Sequence, residues 1–359
     1  MRHVLPSLLL AAVLTSCGSA GGPADGAPAE AGPDSDAGDA CAAPAPHAPH
    51  AVLDLSLPPG AEEGEGLADP CVIRVDDTWY LYATGTMDSF STWASGDLIH
   101  WEHRGVVWEP VPGTWNERGQ AWAPHVQAGD GGFYLYYTKD KQIGVAWSPS
   151  PEGPFEELYD HPFLGGGHGG IGDGVFEHRG TPSPDLDFEE FSIDAFVLAA
   201  SDGSLTFYAT RYTPLSTLVA IPMADLRTLV PGEPVTILEP DMAGWEKFVT
   251  EAPWVDEVDS RFLLTYSGNG ADRTDYALGA AWGDGPLGPF EKAPQNPFLQ
   301  ADPGKAFFGP GHHSIVEGFC GERLLFYHTK VSEAPGWERR IRVAPVVLEG
   351  PTPLLPPLP

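Results

Sequence analysis

Basic residues are scarce in this chain. Nineteen lysines and arginines stand against 50 aspartates and glutamates, a formal charge of −31 over 359 residues. A surface of that sign repels nucleic acid and anionic membranes and excludes both as electrostatic partners, while neutral molecules such as sugars are tolerated. Also missing is any long stretch of 3.6-residue apolar periodicity, which excludes a helix-built fold. No apolar run is long enough for a spanning helix in the mature chain. Cysteine is rare, at Cys17, Cys41, Cys71 and Cys320 only, and the spacing fits no zinc pattern. The tract "GGGHGGIGDG" from Gly165 lacks the lysine and following helix of a phosphate-binding loop.

The N-terminus is built for export. "MRH" is a positive start, "VLPSLLLAAVL" an apolar core, and Leu14-Thr15-Ser16-Cys17 resembles a bacterial lipobox. Residues 1–16 are therefore expected to be a lipoprotein signal peptide, with the lipid on Cys17 and the protein in the cell envelope, on the outer membrane or cell surface. An exported compartment allows one disulfide among Cys41, Cys71 and Cys320 and leaves one thiol over; the pairing stays open. Residues 17–65 are rich in Gly, Ala, Pro and Asp and poor in large apolar residues. They are expected to form a flexible tether. The last residues, 351–359, form a Pro-rich tail.

Between these lies a repeat. Five aromatic strand cores share one pattern: "WYLYATG" from Trp79, "FYLYYTK" from Phe133, "LTFYATR" from Leu205, "FLLTYSG" from Phe262 and "LLFYHTK" from Leu324. Each has the β-branched and aromatic composition of a strand, and turn residues often precede it. Several are followed by a second strand signal, such as "IGVAWS" and "RRIRVAPV". Multi-strand units recurring every roughly 50–70 residues predict an all-β, five-bladed propeller over residues 66–350. The longest interval is explained by an insertion, residues 165–190.

A short segment precedes each core: "ADPCVIR", "AWAPHVQ", "SIDAFVL", "TEAPWVD" and "GPGHHSIV". In a propeller this is the innermost strand, lining the axis. Asp69, Asp194 and Glu251 open three of the five and converge on one mouth of the channel. Repulsion and burial would separate their pKa values, as glycoside hydrolysis requires of its acid and base. Trp122, Phe196 and Trp254 flank these motifs and could stack on sugar faces, His125 stands in the second segment, and Arg340 in "WERRIRV" could enter the channel.

Taken in order, the five segments resemble the blade motifs of glycoside hydrolase family 43, inverting enzymes acting on arabinose- and xylose-containing glycans. The resemblance covers about residues 66–349. It implies that Asp69 is the general base, Glu251 the general acid, and Asp194 a third acid that tunes and orients Glu251. It implies a calcium ion on the axis near His312, held largely through waters, and no organic cofactor. The chain departs from the family at Ala195, often Pro; at His125, commonly an acid; and at His313, often Asn. These bear on substrate subclass. The expected partner is an arabinosyl or xylosyl glycan and the expected state a monomer. Two other readings are a non-catalytic sugar-binding propeller and a retaining five-bladed glycosidase with closer carboxylates.

Overall fold

The computed structural model describes residues 48–61, 66–86, 88–164, 191–212, 215–334 and 336–358. Among them are five antiparallel sheets, one per sequence repeat. The innermost strands are Ala68–Val75, Ala121–Gly129, Phe191–Ala199, Thr250–Val258 and Phe308–Glu317. Each neighbours the next, and the last neighbours the first, so the five close a ring. The aromatic cores form the second strands: Thr78–Thr84, Gly132–Lys139, Leu205–Tyr212, Arg261–Gly268 and Arg323–Lys330. The expected five-bladed propeller is what the chain adopts.

Local chemistry sets the hairpins. Asp130-Gly131 joins Gly129 to its ladder partner Gly132, with φ of 49° and 77°, and Asp259-Ser260 joins Val258 to Arg261 with φ of 50° and 65°. Two successive left-handed residues make the type I′ turn whose twist matches the strands. The cores read as almost continuous apolar runs because both faces of each blade are covered. Tyr134 and Tyr136 pack toward the third blade, while Leu135 and Tyr137 pack toward the first. Five such clusters, one per blade junction, make the core.

The folded region starts earlier than the expected tether boundary at residue 65. Ala51–Val52 pairs antiparallel with the third strand of the fifth blade, Arg339–Val346, and completes that sheet. The Leu53 amide donates to the Ile341 carbonyl at 3.0 Å, and Leu53 is buried between the fifth and first blades. The signal was the alternation in "AVLDLSL", masked by the composition around it. The Pro-rich tail also docks: Val347 and Leu354 exchange backbone hydrogen bonds, and the Pro356 carbonyl lies 2.8 Å from His50 Nε2.

Cys71 is a buried free thiol and Cys320 is disulfide-bonded. The expected signal peptide, Cys17, Cys41, most of the expected tether and the insertion at 165–190 lie outside the described residues. No described helix is long and apolar enough to cross a membrane.

Candidate active site

Every innermost strand breaks register at its entry. At that break stands a left-handed non-glycine residue: Asp69 (φ 51°), Ala123 (49°), Asp194 (58°), Ala252 (53°) and His312 (39°). Such a conformation costs a non-glycine residue about 1–3 kcal/mol, and Asp bears it better than most. Five blades repeat it around one axis. The entries therefore swing their side chains onto a common floor. Glu251 is not the equivalent of the two aspartates. It stands one position earlier, and its longer side chain reaches the same floor.

Asp69, Asp194 and Glu251 are each buried and together line one cleft of about 500 Å³. Trp122, Tyr212, His312, Trp337 and Arg339 share its walls. Asp69 is gripped from the fifth blade. Its Oδ1 lies 3.3 Å from Arg339 Nη1, 3.1 Å from His328 Nδ1 and 3.4 Å from His312 Nδ1. Burial pushes this carboxyl up, but Arg339, then His312 and His328, overcome it and hold the group well below its ordinary range. Burial also lowers both imidazoles, His328 to about 4. Arg339 is thus the lasting positive charge, and Asp69 is ionised at neutral pH.

Glu251 has the opposite environment. Burial pushes it up to about 7; hydrogen bonds from Tyr276 and Tyr212 work against that rise, the Asp69 charge adds to it, and Arg339 opposes it. Tyr276 donates to Oε1 at 2.8 Å and Tyr212 to Oε2 at 2.9 Å. Asp194 is pushed well above its ordinary value by burial, then by Glu251 and Asp69. Its Oδ2 accepts from the Ala252 amide at 3.0 Å, which pins the backbone next to Glu251.

The other expected site residues divide. Trp122 lines the cleft. His125, Phe196 and Trp254 lie beneath it, with Cys71 and His313, around a space of about 20 Å³ on the axis. The rings of Phe196 and Trp254 are 4.6 Å apart, and that of His125 is 4.9 Å from Phe196. All five stand just past the register break, so they fill the channel under the floor and do not face the cleft. Arg340 is not the arginine at Asp69; Arg339 is. Ile341 and Val343 face the first blade, and alternation puts Arg339 on that same face. Tyr212, Tyr276, His328, Trp337 and Arg339 were missed by the sequence reading. All come from second or third strands or loops, which the entry motifs do not cover.

A calcium ion at His312 would need oxygen ligands. The nearest carboxylate, Asp69, is held by Arg339, and the space below is lined by imidazole, thiol, indole, phenyl, alanine and proline side chains with Asp194 as its single carboxyl, itself engaged by the Ala252 amide. Among the described residues no three His, Cys, Asp or Glu side chains could hold a metal together. The residues present do not fit a directly ligated calcium.

Residues 65–350 match the profile of Glycosyl hydrolases family 43. The chain belongs to that family. It is similar, at 35% identity over 94 residues, to an extracellular exo-α-(1→5)-L-arabinofuranosidase of Cellvibrio japonicus, covering 24% of this chain and 26% of that protein. It is 26% identical over 280 residues to a β-xylosidase of Bacillus subtilis, covering 73% of this chain and 47% of that one. The matches thus span between a quarter and a half of these curated relatives. Among solved structures, a thermostable family-43 glycoside hydrolase superposes with a TM-score of 0.69 at 27% identity, covering 82% of this chain and 95% of that one.

Proposed function

We propose that this family 43 member is an inverting glycosidase that cleaves arabinofuranosyl or xylosyl linkages in plant-type polysaccharides or oligosaccharides. The observation that carries this reading is the divergence of two carboxyls in one cleft. Asp69 is held ionised by Arg339, while Glu251 is raised to about 7. That is the division of labour of a base and an acid.

The mechanism follows from these states. Asp69 accepts a proton from a water as the water oxygen attacks the anomeric carbon. Glu251 gives its proton to the glycosidic oxygen, which leaves with the electron pair of the broken bond. Asp194 steadies Glu251 through the Ala252 amide and raises the cost of ionising it. An inverting pair needs carboxyl groups about 6.5–9.5 Å apart, enough to admit the water. The named relatives act on both sugars, which supports the substrate class. Export as a lipoprotein anchored at Cys17, and a monomeric state, complete the proposal; the lipobox carries the anchor.

The test is sugar release by the full chain from linear arabinan, arabinoxylan, aryl arabinofuranosides and aryl xylosides, with product anomers followed by NMR. Release with inverted configuration, lost in Glu251→Gln, supports the reading. Binding without release would make the protein a sugar-binding propeller, and retained configuration would remove the single-displacement mechanism.

A further inference from the structure

The two oxygens of Glu251 are held differently. Tyr212 reaches Oε2 from the cleft wall. Tyr276 reaches Oε1 from below and is completely buried. Its ring lies flat against His328, centroids 5.8 Å apart and planes at 15°. It also presses on Gly311, the ladder partner of His328 in the fifth blade, where a Cβ would fall 1.9 Å from Tyr276 Cε1. Only glycine leaves room for the ring there.

Burial separates the two contacts. The Tyr276 hydroxyl has no solvent to turn to and donates to Oε1 at 2.8 Å, so that oxygen is engaged as an acceptor away from the cleft. Ser267, whose Oγ accepts from the His312 amide at 2.9 Å, stands beside the Tyr276 hydroxyl and favours its polarisation toward Oε1. Tyr212 stands at the cleft wall, and its hydroxyl, a donor to the ionised carboxyl, can accept from an Oε2–H when Glu251 carries its proton.

We propose that Tyr276 is a positioning residue that holds Glu251 Oε1 as an acceptor, so that the transferable proton rides on Oε2, facing the cleft. The inference rests on Glu251 acting as the general acid. On reaction the Oε2–H bond breaks, the proton joins the glycosidic oxygen, and the carbon–oxygen bond parts with its electrons on oxygen. Tyr276 keeps its own proton, since burial holds its phenol well above the ordinary range. It stabilises the carboxylate left behind. The other groups acting on Glu251 are Tyr212, Asp69, Asp194 and Arg339.

The experiment is the pH profile of kcat/KM for the full chain and Tyr276→Phe. Two substrates are compared, an oligosaccharide and an aryl glycoside with an acidic phenol as leaving group. Loss of a donor to a carboxylate raises its pKa, so the alkaline limb should move up by about one pH unit. Oligosaccharide turnover should fall about tenfold, while the activated glycoside, which needs little protonation, should change by less than about twofold. Ser267→Ala should move the limb the same way by less, and it carries the test if Tyr276→Phe does not fold. An unmoved limb, or equal loss on both substrates, overturns the proposal. Glu251→Gln separates the two readings. If it kills oligosaccharide turnover while Tyr276→Phe shifts nothing, only the positioning role fails. If Glu251→Gln is fully active on the oligosaccharide, the acid assignment fails and this inference with it.

Discussion

Arg339 Nη1 stands 3.3 Å from Asp69 Oδ1, and both line the cleft. The arginine holds its neighbour ionised against burial. In Arg339→Met the Asp69 pKa should rise, the acid limb of kcat/KM should shift upward, and activity at neutral pH should fall about 10²-fold or more, the size of a general-base contribution. The same pair affects acid stability. A depressed folded pKa adds stability above the ordinary value of 3.8 that is lost as pH falls through the lowered value. Thermal melts between pH 7 and pH 2 should show that loss in the parent protein and a smaller one in the variant.

Glu251 gives the opposite slope. Its pKa is raised from 4.5 to about 7, so the folded state binds the extra proton between those values. Its stabilising effect is complete below 4.5 and fades as pH rises through about 7. Activity should fall about tenfold per unit above pH 7, since the acid must be protonated. Glu251→Gln should abolish oligosaccharide turnover yet melt higher than the parent at pH 8. The difference in Tm should vanish near pH 4.5.

The strand Ala51–Val52 makes the fold sensitive to where its N-terminus is cut. A chain starting at residue 66 loses this strand, the buried Leu53 and the His50 contact to Tyr327 at 2.7 Å. Burying one leucine contributes about 1.5–3 kcal/mol, so the truncation should lower Tm clearly. A chain starting at residue 48 keeps all three and should melt higher; both truncations equally lack Cys17 and Cys41, so any loss of the disulfide at Cys320 is common to them and the difference between them reports the strand. Equal melting of the two truncations would show that the strand adds nothing.

Metal removal tests the axis. The residues around His312 do not make a direct calcium site, so dialysis against EDTA should leave kcat within about twofold and the Tm unchanged, because a metal that binds only the folded state adds stability. A drop in either, restored by calcium, would show an ion held through waters.

Much of this was legible along the chain because the propeller repeats itself. Five aromatic cores announce five blades, and the entry motifs announce which residues approach the axis. What stayed hidden depends on single-residue phase. The register break places Glu251 one position ahead of the left-handed residue, while Asp69 and Asp194 occupy it. It also sends Phe196, Trp254 and His125 into the channel below. In "WERRIRV" the choice between Arg339 and Arg340 turns on which face meets the first blade, and Ile341 and Val343 show it only once read as alternation. Tyr212 and Tyr276 reach Glu251 from 39 and 25 residues away in the chain. Each looks like an ordinary strand aromatic until the blades are assembled.

Among the five left-handed entries, Ala123 and Ala252 combine the aspartates' place in their strands with side chains that can neither titrate nor donate; in the fourth blade Glu251, one position earlier, supplies a carboxyl, and in the second no acid does. The Ala123 backbone, at φ 49°, already has the shape that delivers Asp69 and Asp194 to the floor, and Asp is more at ease in that shape than Ala. The scaffold of the second blade is therefore a ready mount for a fourth acid among the strand entries, open to new chemistry by one side chain without any change of main chain.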